Sequence, residues 1–350
     1  MTASIHRDRP LSHLVLALAI AAGVMIPAHA VTIDWVTVGD PGNVADDTTY
    51  GAVADSFQIM KYEWTNSQYV DFLNAVDPNG TNPNSIYDSR MGSNVRGGIS
   101  FTDGNTAGSK YTARTNMGNK PVNYVSWFDA ARVANWLFNG ATGTSSTETG
   151  AYTLNNATSG TAPAVNPGAT FYVPTRDQWY KAAYYRSGGT NAGYWDYATQ
   201  SNTAPTEVTA GGSGDGSGGS TGNSANYNNG ADWNSLNGNV TTVGTNGGPS
   251  AYGAFDMTGN ILEWNDLTGT ANSNRELRGG AYSQSASQLS SSYSLTRVSS
   301  FEDLIVGFRL ASPVAAPIPE IDPAGFGSVA ALITGALGLI ERRRLKPKAA

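Results

Sequence analysis

The chain contains no cysteine, and its three histidines, His6, His13 and His29, all fall within the first thirty of its 350 residues. Beyond residue 30 no disulfide, thiolate or imidazole is available. A chain of this size outside the cytoplasm must then be held by its core, by bound ions or by both. The same two facts exclude whole classes of chemistry. Ser-His-Asp and Cys-His catalysis need an imidazole. Zinc would need an all-carboxylate site, and haem, iron–sulfur and copper centres lose their usual ligands. No copper, zinc or haem is therefore expected.

Both ends carry address-like patterns. Arg7 and Arg9 precede an apolar run from Leu14 to Ile26, and Ala28-His29-Ala30 fits a small-x-small cleavage site. A signal peptide is expected over residues 1–30, with export across the inner membrane and Val31 as the first mature residue; an uncleaved N-terminal anchor is the alternative. Near the other end, residues 313–319 form a short Pro/Ala-rich linker, followed by Pro319-Glu320-Ile321-Asp322-Pro323. Residues 324–340 carry no charge and would span about 25 Å as a helix. Arg342, Arg343, Arg344, Lys346 and Lys348 follow, on the side expected to stay cytoplasmic. An ordinary C-terminal anchor is one reading of 320–350. The order of motif, apolar span and arginine cluster resembles PEP-CTERM sorting signals of Gram-negative bacteria, in a PEID variant. That resemblance implies a transient exosortase-type partner, membrane contact only through the tail, and a final place in the cell envelope or extracellular matrix.

Between Val31 and Pro319 the chain has 14 Lys and Arg against 23 Asp and Glu, a net charge of −9. Phosphate backbones demand a basic face, so nucleic acid is not an expected partner. An acidic, oxygen-rich surface suits a hard cation such as calcium. Three helices are predicted from capping boxes followed by apolar residues at helical spacing, starting at Thr65-Asn66-Ser67-Gln68, Ser126-Trp127-Phe128-Asp129 and Thr175-Arg176-Asp177-Gln178. Short strands are predicted at Trp35–Val38, Phe57–Tyr62, Glu276–Tyr282 and Val306–Ala311. Long polar stretches separate them, and Thr209–Thr221 (TAGGSGDGSGGST) has the composition of a flexible, deletable insertion. No repeat of 20–50 residues is present. One α+β domain over residues 31–312 is expected.

Six motifs then occur in order: Phe57 to Tyr69 (FQIMKYEWTNSQY); Lys120 to Trp127 (KPVNYVSW) with Ala134-Asn135-Trp136-Leu137; Val173 to Trp179 (VPTRDQW); Tyr252 to Trp264 (YGAFDMTGNILEW); Leu277 to Tyr282 (LRGGAY); and Gly307-Phe308-Arg309. The series resembles the formylglycine-generating-enzyme, or sulfatase-modifying factor, family. The resemblance implies a C-type-lectin-like α+β fold with little regular secondary structure and long loops. It also implies a copper ion on two cysteines just after the Arg-Gly-Gly strand. Counted from that strand, with Arg297 as the downstream landmark, those positions fall on Gln284 and Leu289. Neither side chain holds Cu(I), so formylglycine generation is not expected. The sulfoxide-synthase branch uses histidine-bound iron, and the body has no histidine.

The resemblance further implies calcium. Asn260 and Glu263 would give side-chain oxygens and Ile261 a carbonyl; a second site would begin at Ala225-Asn226-Tyr227, with Asp232 or Asn237 as its partner. Without metal, Asn260 would cap a turn and Glu263 would pair with an arginine such as Arg278. Tyr194, Trp195 and Tyr197, with Trp233 and Tyr227, lie in or beside polar loops. They either stack on sugars or cover the core. The function these features point to is a non-catalytic, calcium-stabilised binding or structural protein with a glycan or protein ligand. The alternatives are a carboxylate-dependent enzyme acting on extracellular polysaccharide, or a family enzyme with unrecognised chemistry.

Overall fold

The computed structural model describes residues 31–314. The expected signal peptide at 1–30, most of the linker at 313–319 and the sorting segment at 320–350 lie outside the described residues. In chain order the strands are β1 (Trp35–Val38), β2 (Phe57–Met60), β3 (Ile99–Phe101), β4 (Tyr111–Ala113), β5 (Thr206–Glu207), β6 (Ser224–Ala225), β7 (Leu262–Asn265), β8 (Asn274–Arg278), β9 (Leu295–Val298), β10 (Val306–Gly307) and β11 (Ala311–Pro313). The α-helices are α1 (Asn66–Val76), α2 (Arg90–Ser93), α3 (Trp127–Phe138) and α4 (Arg176–Tyr184). Mixed short strands and few helices make this an α+β domain.

The helices begin where the capping residues place them. Thr65 Oγ1 accepts the Gln68 amide at 3.3 Å while Gln68 Oε1 accepts the Thr65 amide at 2.9 Å, so two otherwise orphaned donors are satisfied reciprocally. Thr175 and Gln178 repeat the arrangement at α4. At α3 an aspartate does the same work: Asp129 Oδ2 accepts the Ser126 amide at 2.8 Å and the Ser126 hydroxyl at 2.7 Å. Every residue of α3 except Phe138 is buried, as expected of a helix surrounded by protein. Arg132 on its inner face is neutralised by Glu148 at 2.8 Å.

Burial pushes the Asp129 carboxyl up to about 6, against the pull of the Ser126 donors and Arg132. A folded value above the unfolded one, near 3.9, means that this contribution to stability is fully present below about pH 4. It is lost as pH rises through about 6. Denaturation from pH 4 to pH 7 is expected to show about 2–3 kcal/mol of loss from this group. Asp129→Asn should flatten that part of the profile.

A three-stranded sheet has order β1-β2-β11, antiparallel throughout, so the end of the domain closes against its beginning. A four-stranded sheet has order β10-β7-β8-β9, with β10 parallel to β7 and the other pairs antiparallel. Two-stranded ladders join β3 to β4 and β5 to β6. Fully buried Trp64, Trp127, Trp136, Trp179 and Trp264 dominate the core.

Four expectations need correction. β2 stops at Met60 rather than Tyr62. The strand expected at Glu276–Tyr282 is β8, which runs earlier, Asn274–Arg278, because Gly279 and Gly280 take φ of +92° and +77° and end it. The expected run Val306–Ala311 divides into β10 and β11, because Arg309 between them turns into the core. The glycine-rich stretch Thr209–Thr221 is anchored: Ala210 bridges to Gly216, and Gly219 bridges to Asn246.

Candidate functional site

Strand β7 lies between β10 and β8, and all four of its residues are buried. The turn before it places Asn260 at φ +62°, a left-handed conformation that Asn tolerates. Gly259 precedes it at φ +86°, where a Cβ would lie 2.4 Å from the Asn226 carbonyl oxygen; only glycine allows this approach. Asn226 and Asn260 are thereby brought together. The Asn260 amide donates to the Asn226 carbonyl at 2.8 Å. Asn260 Oδ1 accepts from the Thr241 amide at 2.9 Å, the Thr241 hydroxyl at 3.1 Å and Asn226 Nδ2 at 3.2 Å. Asn260 Nδ2 donates to Glu63 Oε2 at 2.8 Å.

Glu263 points to a different partner from the one expected. Arg309 Nε donates to its Oε2 at 2.6 Å and Arg309 Nη2 to its Oε1 at 2.6 Å, with both side chains fully buried. Trp179 Nε1 adds a bond to Oε2 at 2.8 Å. Arg309 also ties down the carbonyls of Met60 and Phe255 at 3.0 and 2.8 Å. Arg278 sits opposite Glu263 in the β7–β8 register but pairs with Glu276 at 3.0 Å. The expected arginine partner is therefore corrected from Arg278 to Arg309.

The side chains expected to hold calcium are engaged by protein partners. Both oxygens of Glu263 are filled by Arg309 and Trp179, and Asn260 Oδ1 already receives three donors. Two buried oxygens there have no partner among the described residues, Asn226 Oδ1 and Glu63 Oε1. Burial, and after it the charges of Asp256 and Glu263, holds the Glu63 carboxyl well above the usual carboxylate range. Ile261 donates its amide to the Gly259 carbonyl at 2.9 Å. The Tyr227 hydroxyl donates to the Pro205 carbonyl at 2.7 Å. Asp232 and Asn237 are exposed, and Asp232 accepts the Gly238 amide at 2.7 Å. The residue that reaches Asn226 is buried Asn239, whose carbonyl accepts Asn226 Nδ2 at 2.8 Å.

Gln284 and Leu289 follow β8. Leu289 is fully buried in a small cluster with Ala225 and Tyr227. Gln284 accepts the Asn228 amide on its carbonyl at 2.8 Å. One residue beyond Leu289 begins the wall of an open cleft of about 500 Å³. Asp46–Thr48 form a second wall, and residues 194–197 with Asn202 form the third. The five loop aromatics divide here. Trp233 and Tyr227 are buried, at 6% and 7% exposure. Tyr194, Trp195 and Tyr197 are half-buried and line the cleft.

The aromatic wall is fixed from behind. Tyr185 bridges to Tyr194 and Tyr197 to Ser201. The Trp195 amide donates to the Tyr184 carbonyl at 2.8 Å, and the Ser291 amide to the Asp196 carbonyl at 2.8 Å. The Arg186 guanidinium lies 4.1 Å from the Trp195 ring centre. Asp46 accepts the Tyr180 hydroxyl. Sequence reasoning singled out the aromatic segment but not its neighbours, because the three walls are about 150 and 95 residues apart along the chain.

No curated protein matches this sequence. Among solved structures, Treponema denticola variable protein 1 is 19% identical, with 82% of this chain and 97% of that one covered and a TM-score of 0.46. CarF is 22% identical, covering 81% and 99% at a TM-score of 0.46. PvdO from Pseudomonas aeruginosa is 17% identical, covering 81% and 92% at 0.40. The family model of the sulfatase-modifying factor enzyme 1-like domain matches residues 25–314, which include every residue of the Asn260 and Glu263 surroundings and of the cleft, so the chain belongs to that family.

Proposed function

We propose that this chain is an exported, non-catalytic member of its family that binds an extracellular ligand in the cleft beside Leu289. The observation that carries this reading is the pair of residues at the positions where the resemblance implies copper-binding cysteines. One is a leucine buried in an apolar cluster and the other is a glutamine, and no thiol exists elsewhere in the chain. Cu(I) chemistry has no ligand here. The C-type-lectin-like character of the fold and the envelope or matrix location, with its exosortase-type partner, belong to the same proposal. The steadying role that the resemblance gives to calcium passes to the Glu263–Arg309 pair and the Asn226–Asn260 contacts.

Three measurements test it. A cysteine-bearing sulfatase-type peptide incubated with the full chain, copper and oxygen is expected to return unoxidised by mass spectrometry; any formylglycine product would overturn the reading. Release of reducing ends from polysaccharides would overturn it in favour of a carboxylate-dependent hydrolase. A thermal melt in chelator is expected to match the melt in millimolar calcium. A midpoint raised by several degrees in calcium would restore the ion to the structural account.

A further inference from the structure

We propose that the cleft takes an amine-bearing pyranose oligosaccharide, a deduction that rests on the binding reading above and deepens it. Three features carry it. The first is the aromatic wall: Tyr194, Trp195 and Tyr197 are half-buried rings on a backbone fixed at both ends. Sugar C–H faces pack on such rings, and a wall that is already ordered loses little entropy on binding.

The second is unmet hydrogen-bonding capacity. Among the described residues nothing hydrogen-bonds to the Trp195 indole N–H, the Tyr197 hydroxyl or the carboxylates of Asp47 and Asp196. A donor, a hydroxyl and two acceptors next to flat apolar rings match the alternating hydroxyl edges and C–H faces of a pyranose. The third is charge. Asp46, Asp47 and Asp196 line the cleft and no lysine or arginine does. Arg186, the nearby cation, is held against the Trp195 ring and by the Tyr194 carbonyl at 3.0 Å. Carboxylates with aromatic faces attract an ammonium group and repel uronates and sulfate esters. The volume of about 500 Å³ is within the range of small-molecule sites.

The test is titration calorimetry of the full chain against three β-linked tetrasaccharides: glucosamine, glucose and galacturonate. The glucosamine tetramer is expected to bind about ten-fold more tightly than the glucose tetramer, with the advantage shrinking in 0.5 M salt; galacturonate should give no heat. Asp47→Asn with Asp196→Asn, both at exposed positions, should remove the ten-fold preference and weaken the glucose tetramer by no more than about three-fold, since each amide keeps one acceptor oxygen. Trp195→Ala with Tyr197→Ala should abolish both, and an unchanged melting point would show that the fold survives. Equal binding of glucose and glucosamine tetramers overturns the amine assignment. Binding of galacturonate, or binding retained in the aromatic variant, overturns the site. No heat from any tetramer overturns this ligand class while the peptide-oxidation result still stands alone for the non-catalytic reading.

Discussion

Glu263→Gln is expected to cost about 3–5 kcal/mol, a large share of the roughly 5–15 kcal/mol that holds an ordinary domain folded. The substitution is nearly isosteric and keeps an oxygen for Trp179. What it removes is the charge opposite Arg309, whose guanidinium is fully buried and donates to both carboxylate oxygens at 2.6 Å. An uncompensated buried guanidinium is costly because nothing replaces its hydration. The nearby acids offer little relief: Asp256 accepts the Gly244 amide and Asn246 Nδ2, and burial raises its carboxyl above the usual value. Arg309→Met should cost a comparable amount, since it strands Glu263 and frees the Met60 and Phe255 carbonyls. The double variant should lose clearly less than the two singles added, because replacing both partners of a buried pair avoids an isolated charge. Urea denaturation of the four proteins reads this directly. A Glu263→Gln chain within about 1 kcal/mol of the parent would show that the pair contributes no net stability, and would reopen the carboxylate for a cation.

The two halves of this arrangement were unequally legible in the sequence. The helices were legible because their signals are local: Thr65 and Gln68, Ser126 and Asp129, and Thr175 and Gln178 lie three residues apart and satisfy each other before any tertiary contact forms. The partner of Glu263 was not, since Arg309 is 46 residues away and Arg278, which faces Glu263 across the ladder, is an equally plausible cation by sequence. β5, β6 and β10 have two residues each, too few for an alternating pattern to register. The aromatic loop residues had one composition and two fates. Trp233 donates to the Val240 carbonyl at 2.8 Å from a buried position, whereas Trp195 stays at the surface over Arg186. Composition cannot separate these, because the difference is made by what the rest of the chain packs on top.

Deleting residues 211–219 is expected to destabilise the domain by about 3 kcal/mol or more, although the segment's composition is that of a dispensable linker. Its glycines are there for close approach. A Cβ on Gly214 would lie 2.4 Å from the Trp233 ring, one on Gly216 2.2 Å from Asn246 Oδ1 and 2.8 Å from the Thr245 carbonyl oxygen, and one on Gly218 2.6 Å from the Asn246 backbone. The segment also satisfies a buried cation: Lys120, 2% exposed, donates to the Ser213 carbonyl at 2.8 Å and to the Thr242 hydroxyl at 2.7 Å, with its ammonium 4.9 Å from the Trp233 ring centre. Removing the segment uncovers Trp233 and takes away one of the two acceptors of that ammonium, losses of about 1–3 kcal/mol each. Single substitutions separate close packing from simple chain length. Gly216→Ala should cost about 1–3 kcal/mol by overpacking against backbone. Gly212→Ala, where a Cβ would meet nothing within 4 Å, should stay within about 0.5 kcal/mol of the parent. If both variants and the deletion melt like the parent, the segment is the flexible insertion its composition suggests. If only Gly212→Ala does, a glycine-rich stretch in this fold marks tight packing, and Lys120 is held by the backbone that those glycines bring near.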